Sequence, residues 1–235
     1  MLRCAFPAVL LAALAPVRAY AQDEPARSES SLKYGRDKTV KLTTILPKGY
    51  DKKSKHPLVL AFPPGAGNAQ MVATMLEWYW EKAGVERGYI TVAVEGSPDV
   101  VKSGMKDLVP ALFQWLDKSL SVDRARVVLA GVSAGGQSAF EVGCEFPARF
   151  AALLILTTGY TGEEGRLKAL KGKPVRFVVG SKDEMGRKLA ESTLANLDKV
   201  GAKATIEIIE GQDHYMRMEA GKLYDWMDAL WKPAK

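Results

Sequence analysis

The chain has 235 residues, 47% of them apolar and 26% charged, enough to build one sizeable core and too balanced for a wholly disordered chain. Lys and Arg number 33 against 27 acidic residues, a formal charge of +6, yet no dense basic run interleaved with aromatics marks a nucleic-acid face. Two cysteines and two histidines exclude both a disulfide scaffold and a metal cluster built from those ligands.

Met1-Leu2-Arg3, an apolar run over residues 5–16 and the closing Ala19-Tyr20-Ala21 have the basic, hydrophobic and small-residue regions of a secretory signal over residues 1–21. The run is shorter than the ~20 residues that cross a bilayer, and Arg18 interrupts it. Cleavage after Ala21 and a secreted or periplasmic location are expected, without stable membrane insertion. Maturation removes Cys4, Arg3 and Arg18, leaving Cys144 as the sole cysteine and a charge of +4. Residues 22–38, rich in Ser, Glu, Arg and Lys, read as a flexible solvated leader, and residues 39–235 as a single domain.

From Thr39 the alternation through Val40 and Leu42 suits a half-exposed edge strand. Residues 58–62 are continuously apolar, as a strand covered on both faces should be. A helix is predicted over residues 68–84, with Val72, Leu76, Tyr79 and Ala83 on one face, then a strand at 90–94. Asp107 can cap a helix over 107–120 that holds Pro110 in its first turn. Strands at 126–130, 152–156, 175–179 and 205–209 alternate with helices at 134–145 and 185–200, and a last helix carries Leu223, Met227 and Leu230. This order implies an α/β fold with a mostly parallel sheet and helices on both faces. The short stretch between Gly96 and Asp107 leaves no room for a large lid.

Gly131-Val132-Ser133-Ala134-Gly135 sits between a predicted strand and a predicted helix, the context in which G-x-S-x-G presents a nucleophilic serine on a strained turn. A serine hydroxyl needs a base, and a base needs an orienting carboxylate. His56 lies in a charged loop, where a surface role is expected; His214 follows the strand at 205–209, at the carboxyl end where sites on open α/β sheets form. Asp183, one strand earlier, is preferred as the acid over Glu184 and Asp213. Ala134 N–H and a donor from the Pro63-Pro64-Gly65-Ala66-Gly67 turn, Gly65 or Ala66, are the candidate oxyanion hole. The aromatics of Trp78-Tyr79-Trp80 fit packing better than a ligand surface. No phosphate-binding glycine motif appears, so neither cofactor nor metal is expected.

Elbow, acid and histidine together resemble the α/β-hydrolase superfamily. The stretch Val122-Asp123 to Arg126, the elbow through Gly136, Cys144-Glu145-Phe146-Pro147-Ala148-Arg149-Phe150 and Leu46-Pro47-Lys48-Gly49-Tyr50 are similar to the secreted polyhydroxybutyrate depolymerase and feruloyl-esterase-like branch, over residues 39–231. Two features depart from that branch: Pro63-Pro64-Gly65 stands where members often carry His-Gly-Gly, and Gly211-Gln212-Asp213-His214 where they often carry Gly-x-Gly-His. The resemblance implies an exported serine hydrolase acting on a small or oligomeric carboxylic ester. A peptidase on the same fold and a non-catalytic relative that binds a ligand are the alternatives.

Overall fold

The computed structural model describes residues 26–232, so the expected signal segment lies outside the described residues. Five strands form the parallel body of the sheet. They are β3 (His56–Phe62), β4 (Ile90–Val94), β5 (Val122–Val132), β6 (Ala152–Leu156) and β7 (Pro174–Gly180), and β8 (Lys203–Ile209) extends them in parallel at one edge. At the other end β2 (Lys38–Ile45) pairs antiparallel with β4, and β1 (Arg27–Tyr34) pairs antiparallel with β2, giving the order β1-β2-β4-β3-β5-β6-β7-β8.

Alternate side chains of the central strands bury on opposite faces. Leu58, Leu60 and Phe62 join a core with α3 (Ser97–Ser119), α4 (Ala134–Glu145) and α5 (Glu184–Val200). Val59 and Ala61 join another with α1 (Ala69–Met75), the π-helical turn Leu76–Trp80 and α6 (Gly221–Leu230). Coverage on both faces explains why residues 58–62 are apolar throughout; each such side chain contributes about 1.5–3 kcal/mol.

Three expectations are corrected. Residues 27–34 are not a leader but β1, paired with β2 at every position from Arg27↔Ile45 to Tyr34↔Lys38. The strand was hidden because only Leu32 and Tyr34 are buried while the other face meets solvent, as edge strands allow. As a result β2 is the second strand and not the edge. The helix predicted from Asp107 begins at Ser97, with Pro98 in its first turn, so Asp107 is no cap. Its regularity breaks at Gly104, where a Cβ would lie 2.8 Å from the Tyr34 ring, and this break concealed the earlier turns. The helix predicted over 68–84 runs to Arg87 in three pieces, α1, the π turn and α2 (Glu81–Arg87).

Candidate active site

The C-terminal ends of β5, β7 and β8 bring three predicted residues together. Ser133 follows β5 directly and adopts φ 52°, ψ −118°, a conformation strained for any residue with a side chain. Its neighbours explain how the turn closes: a Cβ on Gly131 would lie 2.2 Å from the Gly135 carbonyl oxygen, and one on Gly135 would lie 2.0 Å from the Phe62 carbonyl oxygen. Only hydrogens at those positions let α4 start against the ends of β5 and β3. The Ser133 N–H extends the ladder to Leu156 O at 2.9 Å, and the hydroxyl projects from the end of the sheet.

Asp183 occupies the cap position of α5 just after β7. Its Oδ1 accepts the Gly186 N–H at 3.0 Å, which fixes the carboxylate, and its Oδ2 lies 2.8 Å from His214 Nδ1. The other ring nitrogen, Nε2, lies 2.9 Å from Ser133 Oγ. Since a carboxylate can only accept, the proton of a neutral imidazole sits on Nδ1, and Nε2 is left to accept the serine proton. The Asp183 side chain is 6% exposed and that of His214 42%, a carboxylate sealed from water beside an imidazole that reaches it.

The competing residues point elsewhere. Glu184 is exposed, and Asp213 is exposed with its Oδ1 accepting the Tyr215 N–H at 2.9 Å. The carboxylate next to the base in sequence is therefore engaged by the loop backbone. His56 starts β3, where its Nδ1 and Nε2 lie 3.3 Å from the Gly88 and Asp51 carbonyl oxygens and its ring packs 5.0 Å from that of Tyr50.

Beyond β3 the prolines decide which amide is available. Pro63 and Pro64 have no N–H, and the Gly67 N–H closes a turn on Pro64 O at 3.0 Å. Gly65, at φ 56°, lines the same cavity as Ser133 and His214, whereas Ala66 does not; both are exposed. Ala134 opens α4, where a first-turn N–H has no intrahelical acceptor and the helix dipole is positive.

The cavity measures about 310 Å³. Met71, Met75, Trp78 and Val132 make its lining largely apolar, and Tyr215, 76% exposed, stands at the surface with its ring edge-on to His214. The helix spacing in the sequence marked the Val72, Leu76 and Tyr79 face; Met71, Met75 and Trp78 lie on an adjacent stripe that hydrophobicity alone did not single out. Trp80 is core, as expected of packing, but Trp78 and Tyr79 border the cavity. The Tyr79 hydroxyl donates to Met216 O at 2.6 Å, and Arg217 stacks 3.6 Å over the Trp78 ring, so the segment carrying His214 is tied to the π turn at two points. Burial pushes the Tyr79 phenol up to about 12, keeping it a donor. Among the described residues no group of three or more His, Cys, Asp and Glu is arranged to hold a metal ion.

Solved structures with the same architecture include a thermostable esterase (17% identity, TM-score 0.65, 90% of this chain) and a ferulic acid esterase from Anaeromyces mucronatus (13%, 0.63, 90%). A putative dipeptidyl aminopeptidase IV from Bacteroides ovatus is similar as well (13%, 0.68, 90%). The fold is the α/β-hydrolase fold. The chain spans 61% of the thermostable esterase and 36% of the aminopeptidase, but 92% of the ferulic acid esterase. No family model and no curated protein matches the sequence. Ser133, Asp183 and His214 follow one another in chain order after β5, β7 and β8.

Proposed function

We propose that the protein is an exported serine hydrolase that cleaves carboxylic esters through an acyl-enzyme. The observation that carries this is the continuous hydrogen-bonded path from Asp183 through His214 to Ser133, at 2.8 and 2.9 Å. Ser133 Oγ attacks the ester carbonyl as its proton moves to His214 Nε2, and Asp183 stabilises the imidazolium. The Ala134 and Gly65 N–H groups hold the oxyanion. His214 protonates the departing alcohol; it then takes a proton from the water that attacks the acyl carbon and returns it to Ser133 Oγ as the acid leaves.

Ester rather than peptide cleavage is supported by the apolar cavity, which offers few polar partners to a peptide backbone, and by the near-complete coverage of the ferulic acid esterase. Export is supported by the sequence pattern of residues 1–21, and N-terminal sequencing of the mature protein should begin at Gln22. A fluorophosphonate probe should add once to the folded protein, and Ser133→Ala should abolish the adduct. Absence of the adduct, or its persistence in the variant, refutes the nucleophile. Matched esters and amides then separate esterase from peptidase.

A further inference from the structure

A second cavity, of about 410 Å³, lies beside the elbow against Ala134. Val101, Lys102 and Met105 of α3 form one wall, and Ala134, Gln137 and Glu141 of α4 the other. Spacings of three and four place the α4 residues on one stripe, which at 1.5 Å per residue carries the groove about 10 Å away from the nucleophile.

Gln137 and Glu141, two of the polar side chains that line the groove, are engaged within the protein. Gln137 Nε2 donates to Thr158 Oγ1 and to the Gly159 carbonyl, while its Oε1 accepts from the Thr161 N–H at 2.9 Å and the Thr161 hydroxyl at 3.0 Å, which holds that loop in place. The Glu141 carboxylate pairs with Arg166 and accepts the Tyr160 hydroxyl at 3.0 Å. Lys102 is exposed, lines the groove and has no acidic partner among the described residues. The groove therefore presents one uncompensated positive charge to whatever fills it.

Attack by Ser133 fixes which part of an ester goes where. The departing oxygen must meet His214 Nε2, so the leaving group occupies the apolar cavity that His214 lines. That placement leaves the other substituent of the carbonyl carbon the way past Ala134, which follows Ser133 in the chain and lines the groove. On the serine-hydrolase reading, we propose that the α3/α4 groove is the acyl subsite and that it takes an acyl chain ending in a carboxylate, met by Lys102. The apolar stem of such a chain lies along Val101 and Met105, and its charge reaches the ammonium.

The test compares 4-nitrophenyl hexanoate with the 4-nitrophenyl half-ester of adipic acid, which share leaving group and acyl length. In K102E the adipate-to-hexanoate ratio of kcat/KM should fall about tenfold, carried by KM for the adipate, and raised ionic strength should narrow the preference of the unmodified protein. An unchanged ratio, or an equal loss on both esters, overturns the assignment. A fall confined instead to 4-carboxyphenyl hexanoate, whose charge is on the leaving group, overturns the acyl placement. Hydrolysis with an unchanged ratio refutes the groove alone. No hydrolysis of any ester together with no fluorophosphonate adduct refutes the hydrolase reading and the groove with it.

Discussion

Asp183→Asn is the most discriminating perturbation of the site, because the side chain keeps its shape and loses only charge and one acceptor. Two orientations are open to the amide. With its oxygen toward the Gly186 N–H, the helix cap at 3.0 Å is retained, but an NH₂ now faces His214 Nδ1 at 2.8 Å. The imidazole must then accept there and carry its proton on Nε2, where it can no longer receive the Ser133 proton. In the flipped orientation the proton stays on Nδ1, but two donors oppose each other at Gly186 in a site where Asp183 is 7% exposed, at about 1–3 kcal/mol. Moving a proton between ring nitrogens is the smaller penalty, so the first orientation prevails. The expected result is a loss of about 10⁴-fold in kcat, or roughly 5.4 kcal/mol at 1.36 kcal/mol per tenfold. Because the cap survives, Tm should fall by less than about 3 °C. Ester hydrolysis and thermal unfolding of the same preparation check both. Activity within tenfold of the unmodified protein refutes the acid assignment, and a collapse of Tm refutes the account of the cap.

Gly135→Ala places a methyl 2.0 Å from the Phe62 carbonyl oxygen, so the elbow must open; labelling of Ser133 by a fluorophosphonate should be lost, or soluble protein should fail to accumulate. Tyr79→Phe leaves the Met216 carbonyl without its 2.6 Å donor; it should lower stability by about 1–2 kcal/mol in urea and reduce kcat several-fold by loosening the segment that carries His214. Burial pushes the Cys144 thiol from 9.0 up to about 12, so the native protein should resist a disulfide reagent at pH 9 and react fully in urea. The sign of the linked stability follows: the unfolded thiol ionises first, so the contribution is whole below about pH 9 and is lost as pH rises toward about 12. Urea midpoints measured from pH 8 upward should fall accordingly.

The central strands and the residues of the candidate site were legible in the sequence because their causes are local. Residues 58–62 and 152–156 are apolar runs that only double burial explains; Ser133 and Asp183 follow strands with buried ends, β5 and β7, and His214 follows the half-exposed edge strand β8. What stayed hidden depends on partners distant in sequence. β1 is a strand because β2 offers it a complete register, not because Arg-Ser-Glu-Ser-Ser favours extension. The early turns of α3 lie before a break at Gly104, which packs against Tyr34 of β1 and interrupts the helical period there. That Gly65 and not Ala66 lines the cavity, and that the Gly67 N–H is engaged in a turn, depend on how the loop folds back over β3. Trp78 entered the site through a π turn, whose extra residue rotates the helix face in a way that a 3.6-residue period does not describe.

Two non-glycine residues adopt positive φ among the described residues, Ser133 at 52° and Thr157 at 60°, and they occupy equivalent places at the ends of the neighbouring strands β5 and β6. Each donates one further ladder bond at 2.9 Å, Ser133 to Leu156 O and Thr157 to Val178 O, before the chain turns away. The first turn lifts Ser133 off the end of the sheet. The second sets the Thr157 carbonyl against the first turn of α5, where a Cβ on Gly186 would lie 2.7 Å from Thr157 O and 2.2 Å from Asp183 Oδ2. Such conformations cost about 1–3 kcal/mol each and persist only where the surroundings over-determine them. Here the surroundings are strands buried on both faces, Leu154, Ile155 and Leu156 among them. The strain thus sits at the ends of strands buried on both faces, and Asp183 and Ser133 are held against one framework while His214, on a more exposed segment tied down by Tyr79 and Trp78, keeps 42% of its side chain exposed.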